Sequence, residues 1–339
     1  MMKIVTSGVD SEYVLGGLSR YLKDCGREVF EFDFGQFKGD VHNALGSLPE
    51  GPTAYITSAH ANLTANVADI LVPTFRRKYP NYWSPLEFIQ KIQPDISIYI
   101  PHDLLSPFGE SNLSEHRFLD LFDVILSPTN IPELQAVLGS KTHVIESGWI
   151  KTADMQKDSP SDSDTEPRIT LFLSLVEWLL DRHGAHGLAS YFAPLLVPGI
   201  SVKLPAWSGI DKFEAILREE YCVNVIDSSV SSISVIKQSN IILCNGASSI
   251  HAEASLMGIP CVCLVTNEPW DAGEQIKRLS HLPALHFHDY TNRIPLSKAT
   301  LIKLSKMRKH PDASCVQFNY SLVNELLEKA RTHCQPTFV

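Results

Sequence analysis

The chain has 339 residues, of which 44% are hydrophobic and 20% charged, so it is long enough for two domains with apolar cores. Its formal net charge of −9 argues against nucleic acid as the main partner, because nucleic acids attract basic surfaces. The 7 cysteines lack the spacing of a disulfide framework, and no apolar run has the length of a signal sequence or a membrane span, so we expect a cytoplasmic protein with reduced thiols.

The first half of the chain alternates strand patterns with helix patterns. A short apolar strand at 3–6 is followed by the turn 7–11 and then by apolar residues at helical spacing up to Gly26. Further strand patterns lie at 29–32, 53–57, 96–100, 123–129 and 143–145. This alternation predicts a Rossmann-like α/β domain over residues 1–150.

Polar residues stand where several of these strands end. Asp10 and Ser11 follow the first strand, His60 follows the third, and His102 and Asp103 follow the fourth. Open α/β sheets bind ligands at the carboxyl ends of their strands. A histidine there suits a general base that removes a proton from a hydroxyl, so we predict His102, or else Asp10, as the catalytic base. Helix capping is the alternative role for Asp10 and Ser11, and a structural hydrogen bond is the alternative for His60.

One dense basic cluster stands out in this acidic chain. Its cations and aromatic residues interleave, and they include Arg76, Arg77, Lys78, Tyr79 and Trp83. Basic residues bind anionic lipid headgroups and aromatic rings settle at the membrane interface, so the cluster predicts peripheral membrane contact at the inner face. The alternative is a solvated loop whose rings pack into the domain.

The second half begins after a segment of different composition. Residues 151–167 are polar and acidic, which predicts a linker between domains or a surface loop. Strand and helix patterns resume over 168–318 and predict a second Rossmann-like domain. A last helical pattern lies within 319–339.

The central feature of the second half is the stretch from Ile241 to Leu264. An apolar strand runs into the turn 245–246, a helical pattern follows, Gly258 ends it, and a second apolar strand begins at Cys261. This order predicts a βαβ unit with short loops. Such a helix start, with free backbone N–H groups and adjacent hydroxyls, is a ready anion site.

Several residues of the second half are candidates for binding a nucleotide. Ser248 and Ser249 stand at the helix start, and Glu253 follows where its carboxylate reaches a bound ribose. Lys203 ends a predicted strand and suits a phosphate, while Trp207 suits stacking on a base or sugar. The alternatives are that the serines only cap the helix, the glutamate serves its dipole, and the tryptophan packs in a loop.

The βαβ unit resembles a known donor-binding segment. Its pattern from Gly246 to Pro260, Gly-x-Ser-Ser-x3-Glu-Ala-x3-Gly-x-Pro, is similar to that segment in glycosyltransferases of the GT-B class. It is also similar to CDP-glycerol glycerophosphotransferases and to non-hydrolysing UDP-N-acetylglucosamine 2-epimerases. The resemblance implies two Rossmann-like domains facing a cleft, with Gly246, Ser248 and Ser249 near the donor phosphates and Glu253 at the ribose.

The resemblance also implies roles for the domains. Residues 1–150 would bind the acceptor, with Ser11, His60 and Asp103 as contacts, 168–318 would bind the donor, and the helix in 319–339 would pack back on the first domain. His102 matches the histidine in the Trp-His-Gly segment of the glycerophosphotransferases, although Pro101 and Asp103 replace its neighbours here. Lys203 matches the lysine of their Lys-Pro-His-Pro step, whose histidine is missing here.

These observations together predict an inverting, metal-independent glycosyltransferase without a cofactor. Its substrates would be a nucleotide-sugar donor and a glycan or lipid-linked acceptor, and its setting bacterial surface polysaccharide or cell-envelope glycan synthesis. The one Asp-x-Asp match considered for a metal, 162–164, falls in the predicted linker. The alternatives are a CDP-glycerol-like polyol-phosphate transferase, a sugar-nucleotide 2-epimerase, and a non-catalytic ligand-binding protein of the same fold.

Overall fold

The computed structural model divides into two compact units. Unit 1 comprises Met1–Gln156 and Val316–Val339, and unit 2 comprises Lys157–Cys315. The residues that the structure describes are 2–8, 11–58, 76, 79–102, 118–154, 167–205, 209–246, 248–268, 284–307 and 317–333. Each unit contains a 6-stranded sheet with parallel strand pairs, which confirms the predicted fold class of two Rossmann-like α/β domains.

Within the described residues, the first part of unit 1 has six strands and four helices. The strands are β1 (Lys3–Gly8), β2 (Glu28–Asp33), β3 (Thr53–Thr57), β4 (Ile96–Tyr99), β5 (Val124–Ser127) and β6 (His143–Glu146). The helices are α1 (Ser11–Asp24), α2 (Val41–Gly46), α3 (Pro85–Ile92) and α4 (Pro132–Val137), followed by a 3-10 turn, Ile150–Asp154. The sheet has the order β2-β1-β3-β4-β5-β6, so the chain reverses its direction across the sheet between β1 and β3.

Unit 2 repeats this architecture with a different strand order. Its strands are β7 (Ile169–Phe172), β8 (Ile200–Lys203), β9 (Asn224–Ile226), β10 (Ile241–Asn245), β11 (Cys261–Val265) and β12 (Leu285–Asp289). Its helices are α5 (Val176–Phe192), α6 (Asp211–Glu219), α7 (Ser232–Gln238), α8 (Ser249–Leu256) and α9 (Lys298–Ser305). The order β12-β11-β10-β7-β8-β9 is that of a dinucleotide-binding Rossmann sheet, with its switch point between β7 and β10.

The apolar runs of unit 2 form strands because both faces of the sheet are covered. In β10, Ile241 and Leu243 pack into one buried cluster, whereas Ile242 and Cys244 pack into another on the opposite side. A strand that is buried on both faces has no need for polar residues in alternation. Strand β10 is therefore apolar from Ile241 to Cys244, and only its last residue, Asn245, has a polar side chain.

The last helix of the described residues is α10 (Tyr320–His333), which belongs to unit 1. Arg27, between α1 and β2, is almost fully buried, and its guanidinium donates to Asn324 Oδ1 at 2.9 Å and to the carboxylate of Glu328. Tyr21 and Tyr320 pack with their ring centroids 5.7 Å apart. These contacts fix α10 against α1.

The start of the predicted linker is ordered in unit 1. Lys151 and Thr152 are buried in the 3-10 turn, where the Lys151 ammonium lies 5.1 Å from the ring centroid of Trp149. The hydroxyl of Thr152 accepts a hydrogen bond from the Phe318 amide at 2.9 Å. The first residues of the predicted linker therefore pack with the segment that leads into α10. Among the helices of the described ranges, none is both long and apolar enough to cross a bilayer.

Candidate functional site

The turn between β10 and α8 lies at the carboxyl edge of the unit 2 sheet. Gly246 follows the strand with a φ of 68°, in the left-handed region that favours glycine. Ser248 is the N-cap of α8, and its Oγ accepts a hydrogen bond from the Ile250 amide at 3.4 Å. This contact confirms the capping role that the sequence predicts for Ser248, and the His251 amide donates to the Ser248 carbonyl at 3.1 Å.

The predicted phosphate and ribose residues contact each other within α8. The Ser249 hydroxyl donates to Glu253 Oε1 at 3.0 Å, and Glu253 is fully buried. Glu253 also lies beyond the first turn of the helix, which contains no acidic residue because α8 begins at Ser249. Its carboxylate oxygen Oε1 is the acceptor of the Ser249 hydroxyl, and the ribose contact of Glu253 stays a prediction.

A partly buried bridge joins the end of β10 to the loop after β7 at the switch point of unit 2. The Ser174 amide donates to Asn245 Oδ1 at 2.9 Å, and the Asn245 side-chain amide donates to the Ser174 carbonyl at 3.2 Å. The Ser174 hydroxyl donates in turn to the Asn245 carbonyl at 2.6 Å. This Ser174–Asn245 bridge fixes the turn after β10 to the turn after β7, in which Leu175 has a φ of 55°. Sequence reasoning missed it, since its partners lie 71 residues apart.

A buried histidine ties the first turn of α8 to the loop before it. His251 Nε2 lies 2.7 Å from the Gly246 carbonyl oxygen, and Nδ1 lies 3.3 Å from Cys261 Sγ. Burial lowers the pKa of His251 to about 4, against the smaller opposing effect of its bond to Gly246. The ring is therefore neutral near pH 7. In the sequence, the signal for this residue is a histidine between Ile250 and Ala252 in the predicted helix.

Lys203 lies in the interior at the end of β8. Its ammonium donates to the carbonyl oxygens of Asp227 and Ser228 at 2.9 and 3.0 Å, and only 4% of the residue is exposed. Burial lowers its pKa from the usual value. The structure thus shows Lys203 holding the loop after β9. Trp207, the other predicted contact from this region, lies outside the described residues.

A second polar cluster follows β11 at the same edge of the sheet. The carboxylate of Glu268, of which 3% is exposed, lies 2.7 Å from His183 Nε2 and 3.3 Å from Arg182 Nε. His183 also stacks on Tyr191, with ring centroids 5.3 Å apart. Both oxygens of this buried carboxylate therefore have a polar neighbour on α5. Across the described ranges, no group of three or more His, Cys, Asp or Glu side chains is placed to hold a metal ion.

The predicted acceptor-side residues belong to unit 1. His102 lies three residues after the end of β4, is partly exposed, and accepts a hydrogen bond at its carbonyl oxygen from Trp149 Nε1 at 3.0 Å. Ser11 is the first residue of α1. Asp10, His60 and Asp103 lie outside the described residues. The catalytic role of His102 and Asp10 therefore stays a prediction.

The basic and aromatic cluster packs against unit 1 where it is described. Arg76 is exposed and pairs with the carboxylate of Glu87. The rings of Tyr79 and Trp83 pack against the aromatic core of the unit, Trp83 with its centroid 5.8 Å from that of Phe88. Arg77 and Lys78 lie outside the described residues. The described rings thus have protein neighbours, and membrane contact remains a prediction.

No protein-family model and no curated protein matches this sequence. Solved structures do match it along nearly its whole length. One is a UDP-GlcNAc 2-epimerase of Methanocaldococcus jannaschii in complex with UDP-GlcNAc and UDP, with 11% identity and a TM-score of 0.52 over 97% of this chain and 99% of that chain.

Two further structures have comparable scores. A UDP-GlcNAc 2-epimerase of Neisseria meningitidis bound to UDP-GlcNAc has 13% identity and a TM-score of 0.51 over 97% of this chain and 99% of that chain. The S. aureus MnaA–UDP structure has 12% identity and a TM-score of 0.54 over 98% of this chain and 97% of that chain. At such identities the likeness concerns the fold, and it confirms the two-domain fold type that the sequence resemblance predicted.

Proposed function

We propose that this chain is a transferase that binds a nucleotide-activated sugar through unit 2 and transfers the sugar to an acceptor hydroxyl. The observation that carries the proposal is the β10–α8 turn beside the switch point of a Rossmann-ordered sheet. Open α/β sheets bind nucleotides at this position, and the amides of a helix N-terminus attract phosphate. The Ser174–Asn245 bridge supports the proposal, because it holds the turn in place before any ligand arrives.

The proposal assigns a catalytic role to the start of α8 and to the predicted base. The amides at the start of α8 and the Ser248 hydroxyl stabilise the leaving diphosphate as its negative charge develops. His102, or else Asp10, removes the proton from the acceptor hydroxyl. Attack by that hydroxyl on the face of the sugar opposite the nucleotide inverts the anomeric centre. The proposed acceptor is a glycan or lipid-linked glycan of the bacterial cell envelope.

A second candidate function is epimerisation of a sugar nucleotide. It is favoured by the similarity of the fold to 2-epimerases solved with UDP-GlcNAc. The segment from Ser7 to Ser11 counts against the epimerase, because it lacks the Thr-Arg-Pro-Glu pattern of the epimerase family. The two reactions differ in one measurable respect, since only the transferase needs an acceptor to consume its donor.

A thermal-shift screen with UDP, CMP, CDP and GDP derivatives tests nucleotide binding. A ligand present at about 100 times its Kd stabilises the folded protein by about 2.7 kcal/mol, which predicts an increase in Tm of roughly 5 to 10 °C for the matching nucleotide. The matched control is the nucleoside without phosphates, which is expected to shift the Tm less. No shift with any nucleotide would contradict the proposal and favour a non-catalytic role.

Product analysis separates the two reactions once a nucleotide binds. The protein is incubated with UDP-GlcNAc, with and without an envelope glycan extract as acceptor, and the products are resolved by NMR and chromatography. UDP release that depends on the extract supports the transferase. Conversion to the 2-epimer without acceptor supports the epimerase and overturns the transferase. The same assay with CDP-glycerol tests polyol-phosphate transfer.

A further inference from the structure

His251 makes two hydrogen bonds that define its tautomer. A carbonyl oxygen only accepts, so Nε2, which lies 2.7 Å from the Gly246 oxygen, carries the ring proton. Nδ1 is then an acceptor, and the Cys261 thiol at 3.3 Å is its donor. The residue is fully buried. Both ring nitrogens are therefore used, and rotating or inverting the ring would break both bonds.

The bond to Gly246 determines where the carbonyl oxygen of the turn points. Since His251 is buried, the oxygen bonded to it is held toward the protein interior. A carbonyl oxygen carries partial negative charge and repels an anion, whereas amide N–H groups attract one. Gly246 has a φ of 68°, a conformation that glycine adopts without steric cost but from which it also escapes easily.

We propose that His251 is a positioning residue that fixes the β10–α8 turn in the shape needed to bind the phosphates of the donor. The inference rests on the proposed function, because it concerns the same turn. His251 is the third residue of α8 and is itself fixed by Cys261 on the neighbouring strand β11. The bonds of His251 thus connect the turn to the sheet, and they complement the Ser174–Asn245 bridge on the other side of β10.

Two substitutions of His251 separate its proposed effect on the β10–α8 turn from an effect on the stability of the whole protein. His251→Gln keeps a side-chain donor of suitable length for the Gly246 carbonyl, whereas His251→Leu keeps the volume and loses the donor. Amide hydrogen exchange at Gly246, Ser248 and Ser249 is measured in both variants. We expect exchange at least about tenfold faster in His251→Leu than in His251→Gln, with the core of β10 unchanged in both.

Titration with uridine and with UDP then measures how much the phosphates contribute to the binding affinity. We expect His251→Leu to weaken UDP binding at least about tenfold and uridine binding less than about twofold, and His251→Gln to stay within about threefold of the wild type for both. Equal losses for uridine and UDP would overturn the positioning role, as would unchanged exchange at the turn in His251→Leu. If His251→Leu does not fold, His251→Asn replaces it, because its shorter side chain falls short of the carbonyl.

The two readouts also separate this inference from the proposed function. Wild-type protein that binds neither uridine nor UDP would overturn the proposed function and with it the phosphate role of the turn. The exchange comparison still decides whether His251 fixes the turn. Wild-type protein that binds UDP, together with a His251→Leu variant that retains the wild-type preference for UDP over uridine, would overturn the role of His251 alone.

Discussion

The two units use buried polar groups differently at the switch points of their sheets. In unit 1, Ser7 Oγ lies 2.6 Å from the Tyr55 hydroxyl, and Thr57 Oγ1 donates to the Ser7 carbonyl at 2.8 Å. These bonds join residues within β1 and β3. In unit 2, the Ser174–Asn245 bridge and the His251–Gly246 bond involve the loops that follow the strands.

Within the described residues, bonds that hold a loop at the switch point are seen in unit 2, whereas residues 9–10 and 59–75, which follow β1 and β3, lie outside those residues. Bonds between strands add stability wherever they are buried, whereas bonds that fix a loop in one shape lower the cost of arranging it around a ligand. We therefore propose that unit 2 binds the nucleotide. Changes at the polar bonds of unit 1 should affect stability alone, and changes at those of unit 2 should affect both stability and nucleotide binding.

The largest effect is expected for Asn245→Ala. This change removes both side-chain bonds of the Ser174–Asn245 bridge and leaves two backbone groups of Ser174 without those partners. Such losses cost about 2 kcal/mol each, so we expect the free energy of unfolding to fall by about 4 kcal/mol, measured in urea. UDP binding should weaken at least about tenfold.

The control for this change is Asn224→Ala on β9. Asn224 is exposed and donates one side-chain bond, to Ser201 Oγ at 2.9 Å. Its loss should cost less than about 1 kcal/mol and leave UDP binding unchanged. If both variants lost the same stability and the same affinity, the bridge would have no special role and the contrast between the units would disappear.

The next largest effect concerns pH. Burial lowers the pKa of His251 in the folded protein to about 4, below the unfolded value of 6.5. Between these values the unfolded chain binds a proton that the folded protein excludes, so stability falls as pH decreases from 6.5 towards 4, by about 3 kcal/mol in total. The facing thiol of Cys261 has a pKa raised by burial and stays protonated through this window.

The pH effect is measured by urea unfolding of wild type and His251→Gln across this range. The difference in the free energy of unfolding between the two proteins gives the contribution of His251 to the pH dependence, because the other histidines are present in both. We expect the wild type to lose stability more steeply than the variant below pH 6.5. Parallel pH profiles would show that His251 is not buried as a neutral ring.

A smaller effect is expected in unit 1 from Tyr55→Phe. Tyr55 is fully buried, its hydroxyl bonds Ser7, and its ring stacks on Phe88 with the centroids 5.3 Å apart. The substitution removes the hydroxyl and its bond and keeps the stacked ring. We expect a loss of about 1 kcal/mol in the free energy of unfolding and no change in UDP affinity. Weaker UDP binding in this variant would contradict the assignment of the nucleotide to unit 2.

The sequence predicted the local elements of unit 2 well. The apolar run at 241–243 lies in β10, and Gly258, with a φ of 69°, ends the segment after α8 as expected. Gly184 interrupts α5 with a non-helical φ of 66°, a conformation that glycine adopts readily. These features follow from spacing and from glycine conformation, which neighbouring residues reveal.

The partners of buried polar side chains were the part that sequence could not reveal. Lys203 suited a phosphate by its position, yet its ammonium bonds carbonyl oxygens 24 and 25 residues further along the chain. Lys151 and Thr152 read as the start of a polar linker, yet they are buried beside the segment before α10. Such contacts depend on how distant segments come together, and composition or periodicity carries no information about that.

The most direct test of the central claim compares Ser248→Ala with Ser248→Asp. Both variants act at the N-cap of α8, but aspartate keeps a capping acceptor and adds a negative charge where phosphate is proposed to bind. Titration with UDP should show a loss of several-fold for alanine and at least about a hundredfold for aspartate, with uridine affinity nearly unchanged in both. UDP affinity in Ser248→Asp equal to that of the wild type would contradict the account, because no phosphate could then lie at this helix start.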